Sequence, residues 1–155
     1  MANICDHKSV GMLVYKEDKI LLIERGRSPF AFAMPAGHVD EDATFEEAAI
    51  RELKEEVGVD AKSIELVAEG RKENKGRRVD CTWHYWKIYK VEVEGKIDRS
   101  LDETKQAGFY SIDQIKIFAE RTEKYLNKEI EEEEWNKNPG LEPVMYEWFK
   151  ELKII

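Results

Sequence analysis

Between residues 37 and 59 the chain reads GHVDEDATFEEAAIRELKEEVGV, a stretch marked as a helix at both of its ends. Thr44 followed three residues later by Glu47 has the form of a capping box, in which the hydroxyl accepts a backbone N–H of the first turn and the glutamate reaches back. Gly58 stands where a left-handed residue closes a helix, and the alanines, Leu53, glutamates and lysine between them favour helix. At about 100° per residue, Glu52, Glu55 and Glu56 become neighbours on one face. Phe45, Ala48, Ala49, Leu53 and Val57 mark the apolar arc of the same helix, and Glu52 and Glu56 project inside it. Glu47, Arg51 and Lys54 fall on the opposite side, where a solvated charge belongs. Two like charges about 6 Å apart repel by on the order of 3 kcal/mol at an effective dielectric of 20. A divalent cation reverses that sign, so the face suits metal-assisted phosphate chemistry.

The stretch resembles the Nudix box: a glycine, five residues, Glu, seven residues, then Arg-Glu-apolar-any-Glu-Glu-any-Gly-apolar. Gly37, Arg51, Glu52, Leu53, Glu55, Glu56, Gly58 and Val59 match in register, while Ala43 stands where the pattern has its first Glu. The resemblance implies a Nudix-type α/β/α sandwich, with a mixed sheet, flanking helices and an added C-terminal helix. It implies hydrolysis of a nucleoside diphosphate linked to another group, with Mg²⁺ as cofactor and Mn²⁺ as substitute. Glu52, Glu55 and Glu56 would hold the metals, Gly37 would offer its carbonyl, and Arg51 would orient the cluster. Glu103 would be the further acid that relatives carry after the box, as a base or an added ligand. Ala43 removes one carboxylate from the turn, and Asp40, Glu41 or Asp42 is near enough in sequence to replace it. Two other readings follow from the same residues: a nucleotide-binding module without turnover, and an isoprenoid diphosphate isomerase, for which no cysteine stands near the box.

The remainder of the chain is expected to complete one domain over residues 1–155, with residues 120–155 as a helical extension packed on it. A net charge of −8 argues against general DNA or RNA binding, whose surface would be basic, and leaves a small nucleotide substrate compatible. A homodimer is equally compatible. No apolar run is long enough to span a membrane and no signal pattern opens the chain, so a cytoplasmic location is expected. Cys5 and Cys81 are too few for a disulfide framework and are expected as buried thiols. A zinc site from Cys5, Asp6 and His7 with Cys81 and His84 is disfavoured, because strand positions three apart face opposite sides.

Residues 10–15 and 20–23 read as a hairpin, residues 63–68 as a strand and residues 79–93 as a long one. Beyond them, one helix carries Tyr125, Leu126, Ile130 and Trp135, and another carries Leu141, Val144, Met145, Trp148, Phe149 and Leu152 as core, after the Asn138-Pro139-Gly140 break. Substrate contacts are sought among loop arginines, Arg25, Arg27, Arg77 and Arg78, which can bind two phosphate oxygens at once. Trp83, Tyr85 and Tyr110 are the rings offered for stacking on a base.

Overall fold

A computed structural model describes residues 4–155. In chain order the elements are β1 (Lys8–Leu13), β2 (Tyr15–Lys16), β3 (Lys19–Arg25), β4 (Phe32–Ala33), β5 (Ala36–His38), α1 (Phe45–Val57), β6 (Asp60–Lys72), β7 (His84–Glu94), β8 (Thr104–Tyr110), α2 (Ile112–Leu126), α3 (Glu132–Lys137) and α4 (Pro143–Glu151). They form two compact units: the described residues up to Val14 with Pro35–Ser100, and Tyr15–Met34 with Leu101–Ile155.

The first unit is a four-stranded mixed sheet in the order β5-β1-β7-β6. Strand β1 runs parallel to β7 and antiparallel to β5, and its register sets Val10 opposite Gly37 and Ser9 opposite His38. The apolar arc of α1 packs against β1, β5 and β6. Ala48, Ala49, Leu53 and Val57 are buried there, along with Val10, Met12, Ile88 and Val91. Burying a side chain such as Leu53 contributes about 1.5 to 3 kcal/mol, which fixes the helix face. Strand β6 is the edge, and register shifts at Ala61/Ser63 and Leu66/Ala68 interrupt its ladder, a device that blunts an edge against pairing with another chain.

In the second unit β3 is central, antiparallel to β2, β4 and β8. Its Ile20, Leu21, Leu22 and Ile23 are buried. Phe32 stacks on Phe118 with ring centres 4.2 Å apart, and Tyr110 meets both rings edge-on. A capping box of Ser111 and Gln114 starts α2. The Thr122 hydroxyl lies 2.9 Å from the carbonyls of both Phe118 and Leu141, tying α2 to the chain leading into α4. Leu141, Val144, Met145, Trp148 and Phe149 are all buried, so the C-terminal stripe is core as expected except at Leu152, which is half-buried at the end of α4.

Three sequence expectations change. The hairpin is β2 with β3, Tyr15 facing Ile20, while β1 pairs with β5 and β7. Its turn needs Glu17 at φ 58°, a conformation that a glutamate does not advertise. The long strand begins at His84, because residues 79–83 form a turn with Asp80 at φ 57°. The helix expected through Tyr125 to Trp135 is two helices, broken where Lys128 takes φ 63°.

Candidate active site

Helix α1 starts and stops where the sequence expects, with the Thr44 half of the expected capping box formed. Thr44 is the N-cap, and its hydroxyl accepts the Glu47 N–H at 3.0 Å. Gly58 closes the helix at φ 75°, its N–H reaching the carbonyls of Leu53 and Lys54, and a Cβ on it would come within 2.7 Å of the Asp98 carbonyl oxygen. Gly58→Ala should therefore lose about 1 to 3 kcal/mol. Urea denaturation will register this as a lower midpoint at unchanged slope.

With the helix so placed, two of its carboxylates dock on β5. Glu56 accepts the Ala36 N–H at 2.9 Å. The Glu52 carboxyl rests against the Cα of Gly37, where a Cβ would overlap its carbon and oxygen atoms. A side chain at 37 would push the Glu52 carboxyl out of this position, so glycine keeps the acid against the strand. The three acids open progressively to solvent: Glu56 is 8% exposed, the Glu52 side chain 14% and the Glu55 side chain 51%.

Arg51 ties the group together. Its Nε donates to Asp42 at 2.8 Å, Nη1 to Glu52 at 2.9 Å and to Glu55 at 3.0 Å, and Nη2 to the His38 carbonyl at 2.8 Å. Partial burial alone would weaken its charge, but the Asp42 hydrogen bond and the Glu52 charge prevail and raise its pKa above the usual value. The expectation that Arg51 lies among solvated charges is thus corrected. A long side chain can lie back along its helix to the preceding turn, which a helical wheel does not display. Asp42 supplies a carboxylate in the turn where Ala43 leaves none, whereas Asp40 is paired with Arg78 and Glu41 is exposed. Sequence reading left open which of the three would serve.

The donor set is oxygen throughout, carboxylates with a nearby backbone carbonyl, which matches hard divalent cations that keep some of their waters. The Arg51 guanidinium brings positive charge among these carboxylates.

Of the other expected site residues, those in the first unit make contacts of their own, and the Glu52 charge acts on Arg78. Trp83 is already engaged, with His7 stacked on it at 4.1 Å and the Arg71 guanidinium over its ring at 4.2 Å. Tyr85 donates its hydroxyl to Glu69 at 2.7 Å, and Arg78 is held by both Asp40 oxygens at 2.5 and 2.9 Å. Arg77 is exposed in the loop before β7. The second unit holds the others. Arg25 donates to the Pro29 carbonyl, Arg27 pairs with Asp102, Tyr110 packs on Phe32, and Glu103 lies just before β8, its carbonyl accepting the Gly26 N–H. Residues that the sequence did not single out are Ala36 and His38, whose backbone groups hold Glu56 and Arg51. The alternation of β5 with β1 is the signal that could have found them.

Residues 6–133 match the NUDIX domain family model, and the chain belongs to the Nudix family. It is 30% identical over 123 residues, 76% of this chain and 69% of the relative, to the ADP-ribose pyrophosphatase of Methanocaldococcus jannaschii. Phosphatase NudJ of Escherichia coli is 43% identical over 56 residues, and the RNA pyrophosphohydrolase of a Marinomonas species 40% over 63. Those two matches span only 37% and 39% of the relatives' lengths. Among solved structures, the NUDIX hydrolase from Nitrosomonas europaea superposes with a TM-score of 0.61 at 25% identity, covering 72% of this chain and 76% of that one. The fold class is therefore α/β, with a mixed sheet and flanking helices. Membership places the chain among Nudix pyrophosphohydrolases, which act on nucleotide derivatives and generally use divalent metals. Among the described residues no helix is long and apolar enough to cross a membrane.

Proposed function

We propose that the chain is a Mg²⁺-dependent hydrolase that cleaves the diphosphate linkage of a nucleoside diphosphate derivative, with Mn²⁺ as a substitute. Water adds across the P–O–P bridge, so that a nucleoside monophosphate and the phosphorylated second group are released. The observation that carries this reading is the convergence of Glu52, Glu55 and Glu56 beside Gly37. Glu52, Glu55 and Glu56 would hold a divalent cation, which would supply neutralisation of the diphosphate charge and activation or positioning of the attacking water. The protein's own task is positioning, the main requirement of phosphoryl transfer. The Ala36 N–H orients Glu56, Gly37 makes room for Glu52, and Arg51 holds Glu52 and Glu55 against the His38 carbonyl.

ADP-ribose is the first substrate to test, because the M. jannaschii relative is named for it. The purified chain should be incubated with ADP-ribose, sugar nucleotides, dinucleotides, coenzymes and nucleoside triphosphates, with Mg²⁺ and with a chelator. Release of AMP and ribose 5-phosphate only when metal is present is the expected result. If no member of the panel yields a nucleoside monophosphate with Mg²⁺ or Mn²⁺, the reading is wrong.

Ala43 favours one competitor, a nucleotide sensor without turnover. The two separate on Ala43→Glu. Since Arg51 already has a carboxylate partner in Asp42, restoring Glu should change kcat by less than about tenfold, below the roughly 10- to 100-fold that loss of a supporting contact costs. A sensor would instead acquire turnover that the parent chain lacks.

A further inference from the structure

A second ligand set lies in the first unit, unused by the proposed reaction. Cys5, ahead of β1, His38 on β5, Cys81 in the turn before β7 and His84 at its start each offer one ligand atom, and all four lie within 4.8 Å of one another. Cys5, Cys81 and His84 are buried and His38 is half-buried. The cysteines are joined as a disulfide, which corrects the expectation of buried thiols. The turn at residues 79–83 removes the strand geometry that would have sent Cys81 and His84 to opposite faces. His7 is not part of the set: its ring stacks on Trp83 and its Nδ1 lies 2.9 Å from the Trp83 carbonyl.

The imidazoles are held as ligands are. His38 Nδ1 is 2.6 Å from an Asp6 carboxylate oxygen, and His84 Nδ1 is 3.1 Å from Asn74 Oδ1. That Asn74 atom also receives the Trp86 Nε1–H at 3.1 Å. Because an indole only donates, the Asn74 atom is an oxygen and His84 Nδ1 carries the proton. The Nε2 lone pair of His84 is therefore turned toward sulfur, 2.9 Å from Cys81 Sγ and 3.6 Å from Cys5 Sγ. Disulfide sulfurs have no proton to offer it. For His84, an outer nitrogen donating to an amide oxygen with the inner nitrogen presented to the sulfurs is the outer-shell pattern of a metal-bound histidine. Gly76 lets the loop close over the group, since a Cβ there would lie 2.9 Å from Cys81 Sγ and 3.3 Å from His84 Cε1.

We propose that Cys5, His38, Cys81 and His84 form a tetrahedral Zn²⁺ site in the reduced chain, of which the disulfide is the oxidised, metal-free form. Two thiolates and two neutral imidazoles are a structural zinc set and leave no net charge on the buried centre. A dithiol reductant gives two electrons and two protons to the Cys5–Cys81 bond and becomes a disulfide itself, and Zn²⁺ then displaces both protons from the thiols. Tetrahedral Zn–S bonds of about 2.3 Å set the sulfurs about 3.8 Å apart, within reach of side-chain rotation from Cα atoms 5.2 Å apart. The metal would clamp residue 5, β5 and the loop before β7. Soft ligands keep it chemically distinct from the all-oxygen set around Glu52.

The test uses the full chain, reduced with a phosphine and freed of metal under inert gas, and titrated with Co²⁺. One equivalent should produce thiolate-to-cobalt charge transfer together with the strong visible bands of tetrahedral cobalt, and one equivalent of Zn²⁺ should bleach both. The oxidised chain, a control needing no substitution, should show neither. Cys81→Ser should lose the charge transfer arising from two thiolates, and Asp6→Asn should weaken Zn²⁺ binding about 10- to 100-fold. Glu55→Gln with Glu56→Gln should leave the spectrum unchanged, so the outcome is separate from any result on hydrolysis. Absence of the charge-transfer band in reduced chain that retains its circular dichroism, or its full persistence in Cys81→Ser, would overturn the proposal.

Discussion

Changing Glu55 and Glu56 together to Gln will leave a folded chain whose metal-dependent hydrolysis is reduced by about 10³-fold or more, combining lost charge at the metal with lost acid–base capacity. The structure explains why the fold survives. A glutamine at 56 keeps an oxygen that can accept the Ala36 N–H, and Glu55 is half-exposed, so its replacement remains hydrated. At 55 the change removes the ion pair to Arg51, worth up to about 1 kcal/mol at such exposure. Thermal unfolding with and without Mg²⁺ provides a check independent of substrate. The parent chain should melt higher as metal is added, by mass action on the folded state, and the double variant should show little such shift. Turnover within tenfold of the parent would remove these carboxylates from the mechanism.

The helix that carries this chemistry was readable because its information is local. Thr44, Gly58 and the i, i+3, i+4 acids all lie within one short segment, and burial of Glu56 beside Leu53 and Val57 follows from the wheel. What could not be read depends on partners brought from elsewhere. Arg51 belongs on the solvated side by angle alone, and only the positions of Asp42 and the His38 carbonyl turn it inward. Cys5 and Cys81 are 76 residues apart, and their meeting depends on β1 lying parallel to β7, a pairing for which neither strand carries a local signature. Trp83 illustrates the reverse difficulty. Its ring is a candidate to stack on a base, yet His7 stacks on it and the Arg71 guanidinium lies over it, contacts assembled from three separate segments.

Arg51→Met should give the other large effect, and its dependence on metal is the informative part. The guanidinium makes four hydrogen bonds, three to carboxylates and one to a backbone carbonyl. Methionine retains much of the side-chain bulk but none of the donors. Asp42 and Glu55 can take water instead, so the loss concentrates on Glu52, the least exposed of the three partners. A cost of about 1 to 3 kcal/mol is expected without metal, the scale of hydrogen bonds to charged groups. With Arg51 gone, Glu52 and Glu55 also repel without compensation, and a divalent cation relieves that repulsion. Added Mg²⁺ should therefore raise the melting temperature of Arg51→Met by more than it raises that of the parent chain. Activity should still fall by about 100-fold at saturating metal, because Glu52 and Glu55 lose the anchor that fixes their positions. A variant that unfolds at the same temperature as the parent in a chelating buffer would show that Arg51 neither neutralises nor positions the acids around it.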